Sequence, residues 1–343
     1  PIPNPQSPII LYINFFIDII IKSTNIIYII LLIIKCIIKM KEKGIKNIRI
    51  IYEEENKINE INIIKQSIFM FTLTYLLKCI SCIDYSNYIT LKITETGNIT
   101  FYNTIMFKNY PNEIYINENK TSQVQNYYYF IEENNIVILV WNKPIDSCYC
   151  MFEGCYNIKE IDLSNFDTSH VISMSGMFSG CSSLTLINLS NFNTSQVKDM
   201  SGMFYSCLSL TLLNLSDFIT SDVTRMDAMF FGCSLLTSIE LSNFNTSYVQ
   251  KMERIFSGCS SLISLDLSNF DTSQVKDMRA MFFGCSSLTS LDLFNFDTSQ
   301  VTDMSNMFEN CINLTYINLI NFSEEKLIDS DDMFNNIKNN IIV

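Results

Sequence analysis

Seven cysteines recur at intervals of 26 residues: Cys155, Cys181, Cys207, Cys233, Cys259, Cys285 and Cys311. Thiolates bind metals and form disulfides, so the spacing is read for both. Zinc sites pair ligands about two to four residues apart, and a 26-residue step supplies no such pair. Stacked like neighbouring strands, successive sulfurs would lie roughly 5 Å apart, close enough in principle to bond. Each cysteine nevertheless closes an apolar run, and a buried free thiol behaves as a small hydrophobe. The column is therefore expected to be a structural ladder, with no metal and no cofactor. Cys148 and Cys150 are the better disulfide candidates, with Cys79 or Cys82 as partners if the chain is exported.

Other reactive groups are sparse. His170 is the sole histidine, and its 26-residue column continues as Gln196, Asp222, Tyr248, Gln274 and Gln300. That variety marks a surface loop, a poor place for the histidine of a Ser-His-Asp or Cys-His site. No glycine-rich phosphate loop is present, and nothing in residues 84–147 suggests a convergent polar pocket. No catalytic residue is expected. One column does invite a ligand: Asp162, Asn188, Asn214, Glu240, Asp266, Asp292 and Asn318. It holds carboxylates and amides and no Lys or Arg, so a partner docking there would present a basic surface. A second column, Asn165, Asn191, Asp217, Asn243, Asn269, Asn295 and Asn321, is expected to bond neighbouring backbone.

These columns need elements to carry them. Phe178, Phe204, Phe230, Phe256, Phe282, Phe308 and Phe334 keep the same step, as do Val171, Val197, Val223, Val249, Val275 and Val301. Register held without insertion means stacked repeats. Within one repeat, Leu184-x-x-Ile187-x-Leu189-x-x-Phe192 reads as a short strand with alternate residues inward. Asn193-Thr194-Ser195 breaks it. Val197, Met200, Met203, Phe204 and Cys207 then fall on one face of a helix, with Ser195 as its cap. Gly before most of the cysteines suits a reversal at positive φ; Asn310 fits that place, Ser206 less easily. A single repeat cannot offset its own chain entropy, so neighbours must supply hydrogen bonds and burial. Ahead of the repeats, Tyr88–Ile93, Asn98–Tyr102 and Ile136–Trp141 read as strands of a small β cap.

The repeat resembles the BspA-like leucine-rich-repeat surface proteins of bacteria and some protists. The motif runs Leu-Thr-Ser-Leu-Asp-Leu-x-Asn-Phe-Asp-Thr-Ser-Gln-Val-x-Asp-Met over Leu288 to Met304 and continues as Met-Phe-x-x-Cys at Met307 to Cys311. The resemblance covers residues 136–337. It implies an α/β solenoid: a leucine-rich-repeat-like right-handed stack with a parallel β-sheet on one face, exported, and adhesive or ligand-binding. Ser330 and Ile337 depart from the Met and Cys of the pattern, which marks a degenerate last turn.

Three regions are thus expected: 1–83, a β-rich cap over 84–147, and the repeats over 148–343. In the first, residues 9–34 are apolar but interrupted by Asn14, Asp18 and Lys22, a candidate membrane helix. Residues 65–81 have the order of a secretory signal ending at Ser81. The Ile-, Asn- and Lys-rich residues 1–69 would also arise from reading through non-coding AT-rich DNA. From residue 145 onward Asp and Glu outnumber Lys and Arg by 23 to 9; before it they count 12 to 14. That acidity argues against nucleic acid, which needs clustered cations. The leading expectation is an exported or cell-surface, non-catalytic protein binding a protein or glycan, with membrane association through its N-terminal region. The alternative is an intracellular repeat scaffold.

Overall fold

The computed structural model describes residues 87–337. The candidate membrane helix and signal, and Cys79 and Cys82, lie outside them. Among the described residues no helix is long and apolar enough to cross a membrane.

The N-terminal part forms six strands: β1 (Tyr88–Ile93), β2 (Gly97–Thr100), β3 (Glu113–Ile116), β4 (Asn119–Lys120), β5 (Tyr127–Phe130) and β6 (Asn135–Val140). Alternation in β1 puts Ile89, Leu91 and Ile93 inside. β1 pairs antiparallel with β6 on one side and with β7 (Ile158–Asp162), the first repeat strand, on the other. The cap therefore joins the repeats through hydrogen bonds, in a sheet ordered β4-β3-β6-β1-β7-β8, where β8 is Leu186–Asn188. Side chains stitch the same junction. Asn87 is buried; its Oδ1 accepts from Asp167 N and its Nδ2 donates to Lys143 O. Trp141 lies 4.9 Å from the Phe166 ring, and its indole N–H donates to Asn109 O at 2.7 Å.

From β7 onward the chain is a stack of 26-residue repeats. β7 pairs parallel with β8, β9 (Leu212–Asn214) with β10 (Ser238–Glu240), and β11 (Ser290–Asp292) with β12 (Tyr316–Asn318). The expected single parallel sheet is thus divided. Residues 264–266 form no strand, and the paired blocks are not joined by strand pairing to one another. With only three residues per strand, each rung has few bonds to lose. The unbroken ladder lies elsewhere: parallel bridges run Ser147, Ser173, Asp199, Arg225, Lys251, Asp277, Asp303 and Asp329, one per repeat.

The helix expected behind each strand is absent; the described residues contain strands and turns only. The spacing of Met200, Met203, Phe204 and Cys207 does bury them on one side, but the backbone reaches that side differently. Met200, Gly202, Phe204 and Ser206 donate their N–H to Arg225, Asp227, Met229 and Phe231 of the next repeat. Met203, Tyr205 and Cys207 donate three residues back, to Met200, Gly202 and Phe204. Two left-handed residues per repeat enforce this, Gly202 (φ 59) and Ser206 (φ 54) here, Asn306 (φ 57) and Asn310 (φ 62) later. A right-handed helix admits neither. Ser195 accordingly caps nothing; its N–H donates to Asn193 Oδ1. Gly258 shows why glycine recurs before the cysteine: at φ +76, a Cβ would come within 3.2 Å of Gly232 Cα in the rung below.

Stacking makes columns of like residues. Phe152, Phe178, Phe204, Phe230, Phe256, Phe282, Phe308 and Phe334 form one file of near-parallel rings with centroids 5.4–5.9 Å apart. The Val, Met, Leu and Cys columns are buried beside it, in one hydrophobic core continuous with that of the cap. A further column escapes sequence reading: Thr168, Thr194, Thr220, Thr246, Thr272 and Thr298 are all buried. Thr246 Oγ1 accepts from Asp271 N at 2.8 Å and donates to Asp271 O at 2.8 Å. Thr194, Thr220 and Thr298 bond the N–H and C=O of Ile219, Asn245 and Ser323 in the same way. The 26-residue step of Thr was a sufficient signal, but the Asn-Thr-Ser segment reads first as a strand breaker.

Candidate functional site

The strands end where the acidic column begins its work. Asp162, Asn188, Asn214, Glu240, Asp266, Asp292 and Asn318 each take the backbone N–H two residues ahead, from Ser164, Ser190, Ser216, Ser242, Ser268, Phe294 and Ile320. The residue type thus has a local cause: a short acceptor closes the turn and ends the strand. Asn188 also donates to Asp162 Oδ1 at 3.0 Å, and Asn318 to Asp292 Oδ1 at 2.9 Å, so amides bridge to carboxylates one rung away. The Ser268 backbone N–H holds the Asp266 carboxyl below its usual range. Asn188, Asn214, Glu240, Asp266 and Asp292 are exposed; Asp162 and Asn318 are half-buried. Among the described residues, the second oxygen of Asp162, Glu240 and Asp292 has no hydrogen-bond partner. Leu186 and Leu212, two positions earlier on the strands, stand 58% and 67% exposed beside them. With Tyr316 40% exposed at the equivalent place of β12, the face is polar and acidic with three apolar islands.

The neighbouring asparagine column is structural. Asn191, Asn243 and Asn321 donate to Ser164 O, Ser216 O and Phe294 O one rung down, and Asn269 and Asn295 do the same to Ser242 O and Ser268 O. Two arginines of the repeats sit elsewhere, while Lys92 bonds Glu160 beside the first member of the column. Arg225 pairs with Asp227 at 2.9 Å and lies 3.8 Å from Asp199; Arg279 lies 3.7 Å from Asp277 and 3.6 Å from Asp303. Arg225, Asp199, Asp277 and Asp303 belong to the bridge ladder, away from the acidic column.

The cysteine column is buried throughout, from Cys155 to Cys311. Cys181, Cys207, Cys233, Cys259, Cys285 and Cys311 each donate S–H to a phenylalanine carbonyl 29 residues earlier, at 3.1–3.2 Å; for Cys233 the acceptor is Phe204 O. Burial pushes the Cys233 and Cys311 thiols up to about 12. Cys148 and Cys150 are buried and free. Among the described residues no group of three or more His, Cys, Asp or Glu side chains is placed to hold a metal ion. His170 is exposed, and its Nδ1 lies 2.9 Å from Ser169 Oγ, which donates to Asp167 Oδ1. The serine sits between carboxylate and imidazole, the reverse of the order in which a histidine activates a serine.

The cap departs from expectation in one respect. A cleft of about 670 Å³ opens between the β3–β4 hairpin and β5, where the sequence suggests no pocket. The three consecutive tyrosines were its only visible sign.

Fold and site together define a stacked-repeat protein, with one turn ribbon per 26 residues and a short strand in all the described repeats but that of residues 264–266. Two overlapping matches to a single family model, described as Mycoplasma protein of unknown function, DUF285, span residues 146–262 and 231–341, and the chain belongs to that family. No curated protein and no solved structure gave a match.

Proposed function

We propose that this chain is an exported or cell-surface leucine-rich-repeat-type solenoid, non-catalytic and without cofactor, that binds a protein or glycan partner through the exposed face of its repeat strands. The observation that carries the reading is the acidic column. Asp162, Glu240 and Asp292 use one carboxylate oxygen for local bonds and leave the other open, in a column without Lys or Arg. Glu240, Asp266 and Asp292 stand on successive rungs roughly 5 Å apart, within the Debye length of about 8 Å, so their repulsion adds along that part of the stack. A basic surface relieves it, and salt slows its approach.

The test changes Glu240, Asp266 and Asp292 together to Asn and measures association with short poly-lysine across ionic strengths. A control chain carries Asp217→Asn, Asp271→Asn and Asp297→Asn, which remove equal charge off the column. The column variant is expected to lose most of the salt-dependent binding and the control little. Equal loss in both would reduce the column to bulk charge and sink the reading. Export is tested separately, by N-terminal sequencing of the native protein: a first residue near Cys82 fits, and cytosolic protein still carrying residues 40–80 refutes it.

A further inference from the structure

The cleft in the cap lies apart from the strand face, and its lining has a distinct chemistry. One wall is the β3–β4 hairpin, turned tightly through Asn117 (φ 48) and Glu118 (φ 70). That wall is held in place: Asn117 donates to Asn135 Oδ1 at 2.8 Å and accepts from Ile136 N at 2.9 Å. The other wall is β5, where Tyr127, Tyr128 and Tyr129 are all exposed and Tyr129 reaches 67%. Tyr128 and Tyr129 line the cleft. Three adjacent tyrosines facing water forgo much of the burial that aromatic rings gain elsewhere in this molecule.

Between the walls stand Gln123 and Gln125, also lining the cleft. Among the described residues their side-chain amides have no hydrogen-bond partner. Each offers a donor pair and an acceptor. The charge in the lining is nearly cancelled. Lys120 is committed to Glu113 at 2.7 Å, leaving Glu132 as its one unpaired charge. The cleft is open and shallow, with most of its lining residues exposed, the form that an extended chain rather than an engulfed small molecule would fill.

A ligand for this lining needs a flat apolar face for the tyrosine rings, hydroxyls that both donate and accept for the glutamines, and no net charge. Phosphates, nucleic acids and acidic peptides fail the last condition, because no free cation meets them. We propose that the cleft binds a neutral oligosaccharide, with Tyr129 stacking on the C–H face of a pyranose ring and Gln123 and Gln125 bonding its hydroxyls; Tyr128, on the opposite face of β5, packs against Phe130 and supports that wall. Rigid aromatic rings lose little conformational freedom on contact, which favours them as such a platform. This site is separate from the acidic column and does not depend on it.

The experiment applies the full chain to an array of neutral, sialylated and sulfated glycans, then measures the strongest neutral binder by titration. Tyr129→Ala and Gln125→Ala should each weaken binding by about tenfold, while Tyr129→Phe keeps most of it. Circular dichroism and urea midpoints check that these surface variants stay folded. The Glu240→Asn, Asp266→Asn, Asp292→Asn chain should bind the glycan unchanged, so the two sites succeed or fail separately. The proposal is overturned by an array with no neutral binder, by preference for anionic glycans, or by neutral binding that Tyr129→Ala and Gln125→Ala leave intact. Displacement of the glycan by unglycosylated peptides from a random library would also overturn it, in favour of a strand-adding peptide on β5.

Discussion

At the scale of single residues, the same side chain often serves two masters. The Cys233 thiol fills an apolar column and also donates to Phe204 O at 3.1 Å. Serine keeps the donor but shortens the reach and places a hydroxyl among apolar neighbours. Cys233→Ser is therefore expected to cost about 1–3 kcal/mol in urea unfolding. With the thiol pushed up to about 12 by burial, almost no thiolate exists at neutral pH. Labelling by a disulfide reagent should then proceed only as fast as the chain unfolds; labelling of native protein at the rate seen in urea would contradict the ladder. Carboxylates at the turns give a pH signature. The Ser268 and Ser299 backbone N–H groups hold Asp266 and Asp297 low, and the Ser169 hydroxyl does the same for Asp167. Folded values below unfolded ones mean stability that is present above about pH 4 and lost as pH falls through the folded values. Replacing all three by Asn keeps the turn acceptor, as Asn188 and Asn214 already do in the strand column. Thermal midpoints of that variant should lie below the parent at pH 7, converge on it near pH 2, and fall less between pH 4 and pH 2.

At the scale of elements, what holds one rung to the next is largely polar and invisible to hydrophobic patterning. Thr246→Val conserves shape but leaves the N–H and C=O of Asp271 without the partner that the buried Thr246 hydroxyl supplies. It should cost about 1–3 kcal/mol in denaturant, whereas Ser247→Val, one residue on and half-buried, should cost far less. The strands themselves were legible in part. Leu184, Leu189 and Phe192 are buried as expected, though the strand itself is only Leu186–Asn188 with Ile187 half-buried, and β1, β2 and β6 lie where strands are expected whereas β3, β4 and β5 were not read. The helix was misread because burial at offsets 0, 3, 6, 7 and 10 is also produced by a ribbon of turns. The discriminating sign is conformational. Gly176 and Gly202 mark a second left-handed position four residues before the first, but Ala228, Arg254 and Ala280 fill the same place and disguise it. The turn-closing role of the acidic column was not legible, because nothing in a column of Asp and Asn distinguishes a residue bonding its own backbone from one facing a partner. The cap cleft was hidden for another reason: it is made by a hairpin and a strand that are not adjacent in sequence.

For the whole molecule, a stack held by nearest neighbours should tolerate loss of a whole unit and no other length. Excising residues 234–259 joins Cys233 to Ser260 and leaves every column in register. That chain is expected to fold, with a smaller dependence of its unfolding free energy on urea, because it exposes less surface. Excising half as many residues should abolish cooperative unfolding; two equally folded products would mean that register is not what specifies the stack. The asymmetry between the two sides of the stack has a mechanical meaning. The bridges from Ser147 to Asp329 run without a gap, whereas strand pairing stops between Asn188 and Asn214 and on both sides of residues 264–266. Such a body is bound like a book, along a spine. Its spine resists stretching, and its open edge parts at seams that sacrifice no strand hydrogen bonds. Bending of the exposed face would therefore concentrate at those seams, where it breaks no strand hydrogen bonds, and not along the bridged spine.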